Sequence, residues 1–552
     1  MSSKWSKRLT VSVTGVLLAG SLAACSSGQE ASTTGGSGTA QGGASGAPAN
    51  SQAASGTKIS DKERTVRVVF AENPNQPIKN NSIIQQEILK QTNMKLEYEA
   101  IPTSNYTDKK KTLIATNNLP DIIQLDKQDL NDFGSTGVFL PLLDYMKKGL
   151  MPNFKKFWDA NPDMVKMTVD GELYAFPAIA RNEAKNGFGP VIRTDLLKKH
   201  QLAEPKTFDE LLTVLAKLKE LYPDSKPWSI RNGTQQLLAT SAYMLGSGFN
   251  KGNPMYFDKD VEGGKYVFGP ASPAFKNVLS YFNKAYKMGV LDTDYATSTQ
   301  QQWTEKLTSG KSFFFLDNSG FGLNNTRDLR KSQQDATFQV LPIPEYAPGK
   351  ARANFYATVF TGKTFAISAK AKDPEQLIKL LDWMYSEPAS NLMNFGIEGT
   401  NYTLDEKGQP KFKEDYVAKF KTSTPTPYYA LYSDLGCCQL SFTPYYTNTM
   451  TQFQVEKMTG NWDALNDEYW KIVGSDKAYV EPVMDPPLNK QEAARVRELN
   501  VTLNTMLDQE YDKFIMGVKK IDEYDAVIKK AREMGATELE KIYNDALARL
   551  KK

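Results

Sequence analysis

The chain has 552 residues, 40% of them hydrophobic and 24% charged, with 67 Lys and Arg against 63 Asp and Glu for a net charge of +4. Such a length exceeds one hydrophobic core and implies two lobes, and a balanced charge without a basic block excludes a nucleic-acid footprint. The single histidine, His200, excludes histidine-rich zinc sites and leaves nucleophilic catalysis one poorly placed base, while catalysis by paired carboxylates stays open.

Lys4, Lys7 and Arg8 precede an apolar stretch, Leu9 to Ala19, that is too short to span a bilayer comfortably. The following Leu22-Ala23-Ala24-Cys25 resembles a bacterial lipoprotein signal. That resemblance makes residues 1–24 a signal peptide and Cys25 the lipidated first residue of an exported, membrane-tethered protein. Two acyl chains give durable attachment where one would be marginal. Residues 25–63 are rich in Ser, Gly, Ala, Thr and Gln and cannot offset their ordering entropy. They read as a flexible leash with a reach on the order of 35 Å.

The folded part begins at Arg64. Val66, Val68 and Phe70 alternate as a strand, Ser82 to Gln91 reads as a helix, and Leu96, Tyr98 and Ala100 alternate again. Lys109 to Thr116 is helical, and Asp121 to Leu125 is a buried strand. Alternating strands and helices imply an α/β fold with parallel pairing, whose ligands meet the carboxyl ends of strands. Asp126 is therefore a candidate contact, with capping of the next segment its equal alternative. Thr207 and Glu210 form a capping box opening a helix with Leu211, Leu215 and Leu218. Helices follow at Phe275 to Met288 and Asp373 to Tyr385. A strand at Ser312 to Leu316 lies between them and runs into the polar turn Asp317 to Phe321. The last hundred residues are helix-rich and end in Ala526 to Leu550, whose apolar stripe must pack on something. Cys437 and Cys438 are adjacent, a spacing below the usual disulfide range. Two reduced thiols are expected there, with a strained disulfide plate near a ligand as the alternative.

Asp170-Gly171-Glu172-Leu173-Tyr174-Ala175-Phe176-Pro177 is similar to a signature of extracellular solute-binding proteins of ABC importers. So are the runs Val191 to Lys199, Glu204 to Leu211, Lys287 to Asp292, Gly396 to Thr403 and Lys513 to Gly517 with Asp522 to Tyr524. Six elements in the family's order resemble its long LplA/YtcQ-like lipoprotein subgroup, related to alginate-oligosaccharide binders. The resemblance implies a two-lobed periplasmic-binding-protein-like fold with hinge strands and a helix-rich C-terminal extension. By this analogy residues 64–180 and 361–425 form lobe one, and residues 181–360 and 426–552 form lobe two. Function then requires no covalent step and no cofactor. The expected partners are an oligosaccharide ligand, ABC importer permease subunits and the membrane through the lipid anchor, with the protein a monomer.

Sugar rings stack their CH faces on aromatic side chains, and their hydroxyls need amides, carboxylates and guanidinium groups. Segments expected beside the cleft offer that mixture: Arg181 and Asn182, Asn318 and Phe321, Tyr356, and Glu398 with Tyr402. Each alone is expected to be structural; as a set, some should touch ligand. Many relatives carry a calcium loop after the capped helix. Here Tyr222 to Ile230 has one carboxylate, a lysine and two prolines, which cannot supply six to eight oxygen ligands, so no metal is expected. Trp228 is a packing residue or a cleft platform. Binding of peptides or other small polar solutes is a second reading. A surface carbohydrate-active enzyme is a third, and no spacing nominates the carboxylate pair it would need.

Overall fold

The computed structural model describes residues 58–550, apart from 74–75, 182–185, 248–253, 260, 262, 353, 357–359, 425, 438–441, 448 and 476–482. Strands β1 (Arg64–Glu72), β2 (Met94–Pro102), β3 (Ile122–Asp126) and β4 (Phe176–Ala180) come first. They are followed by β5 (Asn186–Arg193), β6 (Met255–Asp258), β7 (Lys265–Phe268), β8 (Phe314–Asn318), β9 (Phe338–Val340) and β10 (Asn354–Tyr356). Last come β11 (Phe360–Ile367), β12 (Tyr402–Leu404), β13 (Pro410–Phe412) and β14 (Tyr445–Tyr446).

The first lobe is built on a six-stranded sheet in the order β14-β4-β11-β3-β1-β2. Successive strand side chains point to opposite faces. Val66, Val68 and Phe70 accordingly join one core while Val69 and Ala71 join the other. Both faces are covered, as a parallel sheet requires. The parallel pairs β1–β2 and β1–β3 match the βα alternation of the sequence, and β11 lies antiparallel between β3 and β4. Ser82 caps the helix Ile83–Thr92 with a full capping box to Gln85.

The second lobe centres on β5, with β8 on one edge and β9 and β10 sharing the other. The helix Phe208–Leu221 starts where the capping pattern places it. However, the Glu210 carboxylate accepts from the Lys206 N–H rather than that of Thr207, so the box is shifted by one residue. The C-terminal segment breaks at Gly535, whose φ of +114° favours glycine, into helices Tyr524–Ala531 and Thr537–Leu550. Its stripe of Val527, Leu539 and Tyr543 joins the second core.

One boundary differs from the expectation that residues 426–552 all belong to lobe two. Leu431, Tyr432, Leu435, Phe442 and Val455 are buried in the first core. β14 extends the first sheet by pairing parallel with Ile179 and Ala180 of β4. Gly436 ends the helix Pro427–Leu435 at φ +80°, and a Cβ there would collide with the Ser82 side chain. The apolar face of this helix therefore seats against the start of Ile83–Thr92. The chain reaches the second core only with the helix Ala464–Ser475, which buries Tyr469 and Val473. It thus passes between lobes after β4, after β10, and between Thr459 and Ala464.

Trp228 is 1% exposed and packs edge-on against Phe314 at 4.8 Å and Phe282 at 5.5 Å. It is a core residue and not a cleft platform. Trp228→Ala should lower the free energy of unfolding by about 3–5 kcal/mol in urea denaturation.

Candidate functional site

The first passage between lobes begins at Arg181, where β4 ends beside β14. The Arg181 N–H donates to the Tyr446 carbonyl at 2.7 Å, and its guanidinium lies 5.8 Å from the Tyr445 ring centroid. The guanidinium is buried against the first turns of the helix Glu387–Phe395. It donates to Asn391 Oδ1 at 2.5 Å, Ser390 Oγ at 3.3 Å and Glu387 Oε1 at 3.3 Å. A buried cation needs such partners. Tyr402 is 4% exposed and packs on Phe395 at 5.8 Å. Burial, helped by the charge of Glu398 and opposed by that of Arg181, pushes its hydroxyl up to about 12. Glu398 itself is exposed. Arg181, Glu398 and Tyr402 are therefore brought within electrostatic reach of one another, although Arg181 and Tyr402 are largely committed to the fold.

A second polar cluster lies in the second lobe, at the carboxyl end of β8. Asn318 is exposed and stands opposite Phe188 in the β5–β8 ladder, its Oδ1 accepting from the Gly320 N–H at 3.0 Å. Beneath it, buried Asp317 holds the Arg231 fork at 2.9 and 2.8 Å and accepts from Gln236 at 3.1 Å. The Arg231 guanidinium covers the Phe321 ring at 4.8 Å, and Phe321 meets Trp303 edge-on at 5.3 Å. Sequence reasoning singled out Asn318 and Phe321 but missed Arg231 and Trp303. Each of these is distant in the chain and carries no local signature. Tyr356 takes its place opposite Asn186 in the β10–β5 ladder. Asn182 lies outside the described residues, as do Cys25 and Cys438.

Asp126 is the N-cap of the helix Lys127–Phe133, in a reciprocal box with Asp129. Its half-exposed carboxylate pairs with Lys110 at 2.9 Å, and the same buried ammonium pairs with Asp129. Burial pushes the Asp126 carboxyl up, but the hydrogen bonds from Lys110 and Asp129 outweigh it and the net shift is downward. For Asp129 burial prevails and the net shift is upward. Capping, the alternative given by the sequence, is what Asp126 does here.

Beyond this helix a cavity of about 640 Å³ opens between the lobes. Lys127, Gln128 and Asn131 line one side, and Asn500, Asn504 and Asp508 of the long helix Lys490–Ile515 line the other. Asp132 and Arg497 form an ion pair between the same two helices, and Lys127 Nζ donates to the Asp485 carbonyl at 2.9 Å. Burial pushes the Lys127 ammonium down, with the Asp485 charge opposing. None of these cavity residues was singled out in the sequence, because on a helix they read as an ordinary solvated face.

The loop after the capped helix does not fit a calcium ion. The Pro223 and Ser225 carbonyls both accept from Lys219 Nζ at 2.6 Å, and Lys226 donates to Thr293. His200 contacts the Tyr222 hydroxyl at 2.9 Å, at the end of its helix. Cys437 is disulfide-bonded, contrary to the expectation of reduced thiols, and its partner falls outside the described residues.

Two polar walls from separate lobes, joined by repeated chain crossings, define a binding protein with an interlobe site. A family model for bacterial extracellular solute-binding proteins matches residues 76–390, and the chain belongs to that family. It is 25% identical over 489 residues to the polygalacturonan/rhamnogalacturonan-binding protein YtcQ of Bacillus subtilis (strain 168), covering 86% of this chain and 90% of that one. It is 26% identical over 383 residues to the fructooligosaccharide ABC transporter substrate-binding protein FusA of Streptococcus pneumoniae serotype 4 (strain ATCC BAA-334 / TIGR4), covering 65% and 66%. In fold it resembles the alginate-binding protein AlgQ2, solved without calcium ion, with a TM-score of 0.68, 21% identity and coverage of 89% and 99%.

Lys110→Met should cost about 3 kcal/mol at pH 7, because it leaves two carboxylates without their cation. The stabilisation tied to Asp126, whose folded pKa is depressed, is present above about pH 4. It is lost as the pH falls through the depressed value, so the difference between wild type and variant in urea melts should shrink in acid.

Proposed function

We propose that this protein captures an oligosaccharide between its lobes and presents it to an ABC importer permease from a lipid anchor at Cys25. The observation that carries the reading is the interlobe cavity, whose walls of carboxamides, carboxylates and a lysine come from different lobes. Sugar hydroxyls both donate and accept, and carboxamides answer both needs within one planar group. The polygalacturonan and fructooligosaccharide specificities of its relatives agree with that chemistry. A ligand touching both walls binds the closed arrangement better than the open one and shifts the equilibrium by that difference. The permease then has a closed form to recognise, and no bond in the cargo is broken. Among the described residues no helix is long and apolar enough to cross a membrane, and the lipoprotein-like run Leu22-Ala23-Ala24-Cys25 supports attachment through a lipidated cysteine.

The test is thermal unfolding of the mature chain with graded oligosaccharides of galacturonan and fructan. A bound sugar at a hundredfold over its Kd should add about 2.7 kcal/mol, read as a concentration-dependent rise in Tm. Gln128→Ala and Asn131→Ala, on the cavity wall, should each weaken binding without lowering the ligand-free Tm by a comparable amount. The sugar should be recovered unchanged by mass spectrometry, and shortened products would overturn the transport reading in favour of an enzyme.

A further inference from the structure

β2 forms one edge of the first sheet, and among the described residues it pairs only with β1. An exposed edge of nine residues is a template for another strand. The main-chain groups that would receive one, on Met94, Leu96 and Tyr98, are instead met by side chains. The Asn80 carboxamide accepts from the Tyr98 N–H at 2.8 Å and donates to the Tyr98 carbonyl at 2.9 Å. Those are the two bonds that a facing residue of an added strand would make. Gln85 Nε2 donates to the Leu96 carbonyl at 3.0 Å and to Asn80 Oδ1 at 3.2 Å, and Thr92 Oγ1 accepts from the Met94 N–H at 3.1 Å. All three side chains come from the helix Ile83–Thr92 and the turn before it, and Gln85 is fixed in turn by its capping box with Ser82. Asn80 is exposed, so core packing does not account for its carboxamide.

The charges along the same edge suit a second copy of the chain. Lys95 and Glu97, a half-exposed pair 3.7 Å apart, flank Leu96. Two β2 strands running antiparallel about Leu96 would set Lys95 opposite the partner's Glu97, and Tyr98 opposite the partner's Met94. A groove of about 550 Å³ lined by Asn80, Gln85, Lys95, Glu97 and Tyr98 offers the space. We propose that Asn80 and Gln85 are strand mimics that close this edge, and that the association they suppress is antiparallel β2 pairing between two copies. An anchor at Cys25 would confine copies to one surface and raise their effective concentration, where an open edge would be most hazardous.

The experiment is analytical ultracentrifugation of the mature chain and of Asn80→Ala at matched concentrations, with circular dichroism to confirm that the variant is folded. The wild type should remain a monomer. Asn80→Ala frees the Tyr98 N–H and carbonyl on both copies and should tighten dimerisation by at least about tenfold, the worth of one or two neutral hydrogen bonds. Adding Lys95→Glu sets like charges across the pair and should weaken that dimer several-fold. Adding Glu97→Lys as well should restore it. Hydrogen exchange of the wild type gives a readout independent of any variant: the Tyr98 amide should be protected although it lies on a sheet edge. A wild type that dimerises, a folded Asn80→Ala chain that stays monomeric, a dimer indifferent to Lys95→Glu, or a Tyr98 amide that exchanges freely in the wild type would each overturn the proposal.

Discussion

The first passage between the lobes depends on the burial of the Arg181 guanidinium. Arg181 is the last residue of the first lobe before the chain leaves it, and its backbone and side chain bind different elements. Its N–H holds β14 through Tyr446, and its guanidinium holds the helix Glu387–Phe395 through Asn391 and Ser390. Three segments far apart in sequence are thereby fixed at the point where the lobes meet. The second lobe has a fork of its own, Arg231 on Asp317 at the carboxyl end of β8. Such buried ionic contacts add little net stability, because desolvation offsets most of the attraction. Their contribution here is geometric: each lobe has an oriented, satisfied guanidinium that fixes the segments around it.

Beside the interlobe cavity the two lobes meet through the Asp132–Arg497 pair, with side chains 20% and 51% exposed, and through the buried Lys127 ammonium on the Asp485 carbonyl. The ion pair, half exposed on its arginine side, is worth about 0–1 kcal/mol. A ligand bonded to both walls would add to these contacts and shift the balance between open and closed by its differential affinity.

The local elements were legible in the sequence because local chemistry decides them. The alternation of Val66, Val68 and Phe70, the Ser82 cap and the Thr207 cap each act within a few residues. What failed were assignments that only long-range packing decides. Residues 426–459, expected in the second lobe, belong to the first, which follows from Gly436 meeting Ser82 and from β14 pairing with β4. The insertion of β11 antiparallel between β3 and β4 has no local signature at all. At the site the same rule holds. Asn318 was legible as a polar residue after a strand, while Asn500 and Asn504 look solvated until the fold brings Lys127–Phe133 opposite them.

The loop after the capped helix is held by ammonium groups that the chain itself carries. Instead of a hard cation collecting oxygen ligands, the ammonium of Lys219 bonds two loop carbonyls, those of Pro223 and Ser225. Across from it the fully buried Asp292 accepts from Lys306 at 2.5 Å and lies 3.9 Å from Lys226. Lys226 and Lys306 thus link this loop to the turn at Asp292–Asp294 through groups the chain itself carries. A tethered ammonium does not dissociate, so these links are always present in the folded chain. Phe321 packs against the same core as that corner, so the carboxyl end of β8 and the loop are held by one body of buried side chains.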